Sequence, residues 1–146
     1  FFFTFLICLI LFLFFIPLPT TTGENAIAMT PKELLNQLLQ TEGAMCAALV
    51  DSNSGMVLES VGTGVDMELA AAGNTEVVRS KIKTMKSLGM EGAIEDILIT
   101  LTHQYHIIRP VAKHNGLFIY YVLDRNRANL AMARRKVQDL EAQTTL

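Results

Sequence analysis

The stretch from Asp66 to Leu88 is the longest helical pattern in the sequence, and it limits how the rest of the chain can fold. It starts with acidic residues, of which Asp66 is placed to cap the helix or complement its dipole. It becomes basic in its second half and is followed by Gly89. Spacings of three, four or seven residues place an apolar stripe along it, made of Met67, Ala71, Val78, Ile82 and Met85. A second, shallower face consists mostly of small residues: Leu69, Ala72, Gly73, Val77 and Ser80. The pattern predicts a helix that packs on a sheet with one face and admits a second protein surface on the other.

Before this helix, the sequence predicts a short helix and a hairpin. Thr30 is a suitable N-cap, Pro31 suits the first helical position, and Glu33 completes a capping box. Residues 43–50 and 56–61 are strand-length runs on either side of a cluster of turn residues. We therefore expect a helix followed by two antiparallel strands.

After the long helix, the sequence predicts three more strands and a last helix. The strand-length runs are residues 93–102, 105–112 and 117–124. Pro110 cannot donate a ladder hydrogen bond, so it marks a strand end or a bulge. The last helix is predicted over 126–142 with Asn126 as its cap. The resulting fold class is α/β, with a five-stranded antiparallel sheet between helices, the long helix alone on one face and the terminal helices on the other.

Charge and cysteine content exclude some classes of protein. The 12 basic and 14 acidic residues nearly balance, which argues against a nucleic-acid binder because such proteins normally carry a basic face. Cys8 and Cys46 lie in very different surroundings and do not suggest a disulfide framework. Cys46 lies in an apolar strand pattern and is expected in the core.

Residues 1–28 form a hydrophobic leader and linker, and three interpretations of them stay open. A signal peptide fits the Ala26-x-Ala28 cleavage pattern but lacks a basic start. A membrane anchor needs about 18 apolar residues, and the uncharged run 1–16 is marginal. The third is a start-site artefact, since Met29 directly precedes a well-formed helix start. We expect a domain over residues 29–146 that is cytoplasmic if translation starts at Met29, and otherwise membrane-anchored or exported.

The sequence offers no convincing catalytic, cofactor or metal site. His103 and His106 are separated by a predicted hairpin and need not converge, so we interpret them and His114 as turn or surface residues. Gly62-Thr63-Gly64 before a helix is a weak signal for phosphate binding, because no Lys-Ser/Thr follows it. We therefore predict no enzyme, no cofactor and no metal. One side of the long helix carries a charged row that is a candidate partner-binding surface: Glu76, Arg79, Lys83 and Lys86.

Three segments carry a resemblance to a known family. They are GAMCAALVDSNSGMVL in the hairpin, ELAAAGNTEVVRSKIKTM in the long helix, and IEDILITLTHQYHIIRPV followed by LFIYYVLD in the last strands. With the order of the elements, they make residues 29–141 resemble the roadblock/dynein-light-chain family, especially its small bacterial members. The resemblance implies a homodimer in which residues 94–101 pair with the same strand of a second copy and the two long helices lie close together.

The resemblance also implies a function. Several bacterial members of this family bind small Ras-like GTPases and stimulate hydrolysis, so we expect a non-enzymatic homodimeric regulatory or scaffold module that binds such a GTPase or a related signalling partner. The residues expected at the dimer interface are Leu69, Ala72, Gly73, Val77, Ile97 and Ile99. The alternative is a small-ligand sensor domain of profilin-like shape, which predicts an enclosed pocket between sheet and helix.

Overall fold

The computed structural model describes residues 28–145, which form three helices and five strands. The helices are α1 (Pro31–Leu39), α2 (Met67–Ser87) and α3 (Leu130–Gln143). The strands are β1 (Ala44–Asp51), β2 (Met56–Gly62), β3 (Ile97–Thr100), β4 (Gln104–Pro110) and β5 (Leu117–Asp124). The predicted order of elements is confirmed. The predicted leader, with Cys8, lies outside the described residues apart from Ala28.

All five strands belong to one antiparallel sheet in the order β2-β1-β5-β4-β3. The central strand β5 is buried continuously from Phe118 to Leu123, because helices cover both faces of the sheet there. Strands β2 and β3 are the two edges. The predicted α/β fold class is therefore confirmed.

Each face of the sheet has its own core. On one face, α1 and α3 pack on the sheet through six apolar residues: Leu34, Leu35, Leu38, Ala133, Val137 and Leu140. On the other face, α2 is the helix whose residues join the core, with Ala71 and Val78 against Cys46, Tyr120 and their neighbours. Burial raises the pKa of the Cys46 thiol, as expected for a core cysteine. The predicted division of the helices between the two faces is confirmed.

Two of the three predicted helix caps are present, and the third is wrong. Thr30 forms the predicted capping box with Glu33, and Asp66 Oδ1 accepts the Leu69 N–H at 3.1 Å. The cap of α3, however, is Asn129 rather than Asn126. The Asn126 N–H instead donates to Asp124 Oδ1 at 2.8 Å, in the turn that follows β5. This turn delays the helix, which begins at residue 130 instead of 126.

The predicted strand over residues 93–102 is much longer than the observed β3. Residues 93–96 stay outside the ladder because α3 and β4 hold them by other contacts. The Asp96 carboxylate accepts two hydrogen bonds of 2.9 Å from Arg134 on α3, and Arg109 Nη1 donates to the Glu95 carbonyl at 3.3 Å. Strand β4 ends at Pro110, which is one of the two roles predicted for this proline, so it stops two residues before the end of the predicted run 105–112 and begins one residue earlier.

The predicted core stripe of α2 is only partly right. Ala71 and Val78 are buried, but Ile82 is 42 % exposed, and no residue of α2 beyond Val78 is buried. Thr75, which the apolar pattern omitted, is buried with them. The helix contacts β1 and β2, and its residues that join the core all lie between Met67 and Val78.

Candidate functional site

The outer face of α2 is open to solvent in the single chain. Leu69 is 72 % exposed, and Ala72, Gly73 and Val77 are also exposed. A Cβ atom added to Gly73 would meet no heavy atom within 4 Å. The α2 residues that the sequence assigns to a dimer interface are therefore accessible, and their role in a dimer stays a prediction.

The two β3 residues of that predicted interface lie on the same side of the sheet as α2. Ile97 pairs with Ile108 and Ile99 pairs with His106, and both are half-buried beside the core under α2. Strands β4 and β5 separate β3 from β1 and β2, on which α2 packs. The predicted interface thus consists of two groups of residues at opposite sides of one sheet face.

The charged row on α2 divides into two parts. Arg79 Nη1 contacts Glu76 Oε1 at 2.9 Å, and Arg79 Nη2 donates to the Asn53 carbonyl at 2.7 Å. Arg79 therefore fastens α2 to the turn between β1 and β2. Lys83 and Lys86 are exposed and form no ion pair with any residue from 28 to 145. Only these two lysines of the predicted row are available to a partner.

A cleft of about 420 Å³ lies beside the second half of α2. Val78 and Phe118 lie at its base, since both are buried. Its apolar walls come from α2 and from the segment that leads to β3: Ile82, Met85, Met90 and Ile94. The sequence predicted a pocket between sheet and helix only for the alternative sensor function, and it did not identify the lining residues because several separate segments contribute them. The one available signal for the cleft was that the apolar stripe of α2 continues beyond Val78 through Ile82 and Met85.

Two cations border this cleft, and they differ in whether a carboxylate of the described residues holds them. The Arg109 guanidinium is held by Glu141 Oε2, at 3.4 Å from both Nε and Nη2, and by the Glu95 carbonyl. Glu141 is buried and also accepts the Ala112 N–H at 3.1 Å, so it joins α3 to the end of β4. Lys86, in contrast, is free of such partners among the described residues. The uncommitted positive charge at the cleft is therefore on α2.

Comparisons with known proteins agree on the fold. No protein-family model matches the sequence, and no curated protein matches it. Among solved structures, a roadblock/LC7 domain from Streptomyces avermitilis superposes with a TM-score of 0.68 at 16 % identity, over 78 % of this chain and 93 % of that one. MglB from Myxococcus xanthus gives 0.66 at 16 % identity, over 75 % and 87 %. The chain has the roadblock/LC7 fold. An MglB with a tetrameric arrangement superposes at 0.64 and 18 % identity, over 75 % of this chain and 80 % of that one.

On the α2 side of this roadblock/LC7 sheet, a polar network lies between the two groups of predicted interface residues. Tyr120 Oη and His106 Nδ1 are 2.8 Å apart, and His106 Nε2 lies 2.8 Å from Gln104 Oε1. A neutral imidazole protonated on Nε2 satisfies both contacts, because Tyr120 then donates to Nδ1 and His106 donates to Gln104. Burial lowers the pKa of His106 and raises that of Tyr120. The interpretation of His106 as a turn or surface residue is therefore wrong, and its period-two spacing from Ile108 was the missed signal.

The other chemical signals in the sequence have structural explanations within the roadblock/LC7 fold. Gly62 has φ +81°, and a Cβ there would strike the Met45 carbonyl and Cys46, so this glycine allows β2 to approach β1. No group of three or more potential metal-ligating side chains comes together in the described part of the chain. None of the helices formed by residues 28–145 has the length and hydropathy that a membrane crossing requires.

Proposed function

We propose that this chain is a homodimeric, non-enzymatic regulatory or scaffold module that binds a small Ras-like GTPase or a related signalling partner. The observation that carries the proposal is the open face of α2 in a roadblock/LC7 fold. Leu69 and Val77 are large apolar residues left in solvent there, and Gly73 between them leaves room for a second body. The tetrameric arrangement of one MglB supports self-association in proteins of this shape.

The edge strand β3 supports the same assembly. An edge strand presents unpaired N–H and C=O groups, and pairing with a second copy satisfies them. Strand β3 is short, has half-buried isoleucines at positions 97 and 99, and ends the sheet on the side away from β2. A two-fold axis beside β3 joins the two sheets and lets each α2 face approach the other protomer.

The partner-binding half of the proposal rests on charge and on the family resemblance. Lys83 and Lys86 offer two uncommitted positive charges on the second half of α2. Small bacterial proteins that this sequence resembles bind Ras-like GTPases. Regulators of this kind act by binding, which needs an accessible surface and no reactive group of their own.

Two measurements on the full chain test the proposal. Sedimentation equilibrium should give the mass of a dimer at micromolar concentration. Biolayer interferometry with a small Ras-like GTPase from the same genome, loaded with GDP or with a non-hydrolysable GTP analogue, should show binding that differs between the two states. A monomer at all concentrations contradicts the dimer, and the absence of binding in both nucleotide states contradicts the partner.

A small-ligand sensor is the second candidate function, and the cleft beside α2 favours it. Its volume of about 420 Å³ is within the usual range of ligand sites, roughly 300–1,000 Å³. A thermal-shift screen of metabolites tests this function, since a ligand that binds only the native state raises the melting temperature. Ala93→Phe, which fills the cleft from its lining, should abolish the shift. A screen without any shift, or a shift that Ala93→Phe leaves unchanged, contradicts the sensor function.

A further inference from the structure

The cleft beside α2 belongs to a larger apolar surface. Ile82 and Met90 line the cleft and are 42 % and 53 % exposed, while Leu88, directly after α2, is 67 % exposed. Apolar surface therefore continues from the cleft base at Val78 and Phe118 out to the tip of the helix. A small molecule enclosed in the cleft would leave this outer part uncovered. A protein segment that crosses the cleft would cover both parts.

The charges around the cleft favour an acidic occupant. Between Val77 and Met90 the chain has four cations and no acidic residue. Three of these cations, Lys81, Lys83 and Lys86, have no carboxylate partner among the described residues, and Lys86 borders the cleft. One acidic residue, Glu95, lines the cleft beside the cations Lys86 and Arg109.

From these observations we propose that the cleft receives one apolar side chain from an acidic segment of a partner protein, and that Lys83 and Lys86 contact the carboxylates of that segment. This arrangement deepens the partner binding proposed above and rests on it. A central apolar anchor in a pocket, with charges around it, is how the energetically dominant contacts of protein interfaces are built. The concave shape also suits an inserted side chain better than a flat lipid surface.

A designed peptide probes the cleft directly. The probe is a short fluorescein-labelled peptide with one phenylalanine between glutamates, and its binding to the full chain is followed by fluorescence anisotropy. Two matched peptides replace the phenylalanine by alanine or the glutamates by lysines. Loss of the aromatic ring should weaken binding by about tenfold or more, which corresponds to about 1.4 kcal/mol. The lysine peptide should not bind, and salt should weaken the glutamate peptide.

Variants with matched controls locate the binding site. Ile82→Gln removes a wall of the cleft. The double change Lys83→Glu with Lys86→Glu reverses two charges on the second half of α2, of which Lys86 lines the cleft. Each variant should bind the peptide about tenfold more weakly. Met132→Gln is the apolar control, because Met132 is exposed on α3, on the opposite side of the sheet, and does not line the cleft. Lys81→Glu is the charge control, because Lys81 lines a different surface with Val77 and Thr84. Both controls should change affinity by less than about twofold, and thermal melts check that every variant folds.

The outcomes separate this inference from the proposed function. Equal binding of the phenylalanine and alanine peptides, or equal binding by wild type and Ile82→Gln, overturns the inference. Binding to phosphatidylglycerol vesicles without binding to the peptide also overturns it, because the occupant is then a lipid surface. If the GTPase binds wild type and the cleft variants alike, the proposed function stands and the inference fails. If the peptide follows the expected pattern and no GTPase binds, the cleft assignment stands and the GTPase assignment fails.

Discussion

Substitutions at Gly73 should have different effects on the stability of the single chain and on the stability of the proposed dimer. It lies inside α2, where glycine costs roughly 0.5–1 kcal/mol relative to alanine because its backbone loses more freedom on folding. An added Cβ meets nothing within 4 Å, so the single chain offers no steric reason for a glycine. Gly73→Ala should therefore raise the free energy of unfolding of the monomer by about 0.5–1 kcal/mol.

A long polar side chain at the same position should act in the opposite direction on the dimer. If two α2 helices approach each other at Gly73, the side chain of Gly73→Gln must be placed between them. We expect the dimer dissociation constant to rise by at least about tenfold, or about 1.4 kcal/mol, while the monomer keeps the gain in helix propensity. The dimer contact would then be the reason for a glycine in the middle of this helix.

Two assays measure these effects independently. Sedimentation equilibrium over a range of concentrations gives the dissociation constant, and urea unfolding at concentrations below that constant gives the stability of the monomer. Met132→Gln is the control, because Met132 is an exposed residue of α3 on the opposite side of the sheet. An unchanged dimer in Gly73→Gln would refute the assignment of Gly73 to the interface. A loss of monomer stability in Gly73→Ala would refute the argument from open space.

Three further predictions concern polar groups at buried positions. Glu141→Ala should lower the free energy of unfolding by about 3 kcal/mol in urea titrations, because it leaves Arg109 and the Ala112 N–H without their partner; a loss below about 1 kcal/mol would contradict this. Thr75→Val should raise it by about 1 kcal/mol, because Thr75 Oγ1 is buried with no hydrogen-bond partner among the described residues; a destabilised variant would contradict this. Because burial lowers the native pKa of His106 below its ordinary 6.5, the unfolded chain binds the proton more readily. In urea titrations, the free energy of unfolding should be highest above pH 6.5 and should decline as the pH falls from 6.5 towards the native pKa of His106. If the same decline persists in His106→Gln, His106 is not its cause.

The parts of the fold that follow from the sequence are those with local causes. The start of α1 is readable because Thr30 and Glu33 satisfy each other's backbone groups within one turn. The start of α2 is readable because the Asp66 side chain accepts the nearby N–H of Leu69. Asn126 and Asn129 are both good caps at the level of sequence, and the choice between them depends on whether Asp124 draws Asn126 into the preceding turn. The hydrophobic periodicity of the sequence does not show which of the two asparagines caps the helix.

Some features of the candidate site likewise have local causes, and others depend on residues that are distant in the sequence. The exposure of the small-residue face of α2 was predictable, because helical spacing alone separates Gly73 from the buried Ala71 and Val78. The different states of Arg79 and Lys83 were not, because the Asn53 carbonyl that holds Arg79 belongs to a distant turn. The shortening of β3 likewise depends on Arg134, which is 38 positions from Asp96 along the chain.

The two proposed roles of α2 use two places along its length. Its first half is fixed to the sheet by Ala71 and Val78 and presents Gly73 on the outer side, where a second copy can approach. The apolar stripe of its second half, Ile82 and Met85, lines the cleft together with Lys86. Gly73 and Lys86 lie about 20 Å apart along the helix axis at 1.5 Å per residue. Because Gly73 and Lys86 lie on different turns of one helix, the proposed dimer would leave the cleft beside Lys86 open to a partner, with one cleft on each protomer.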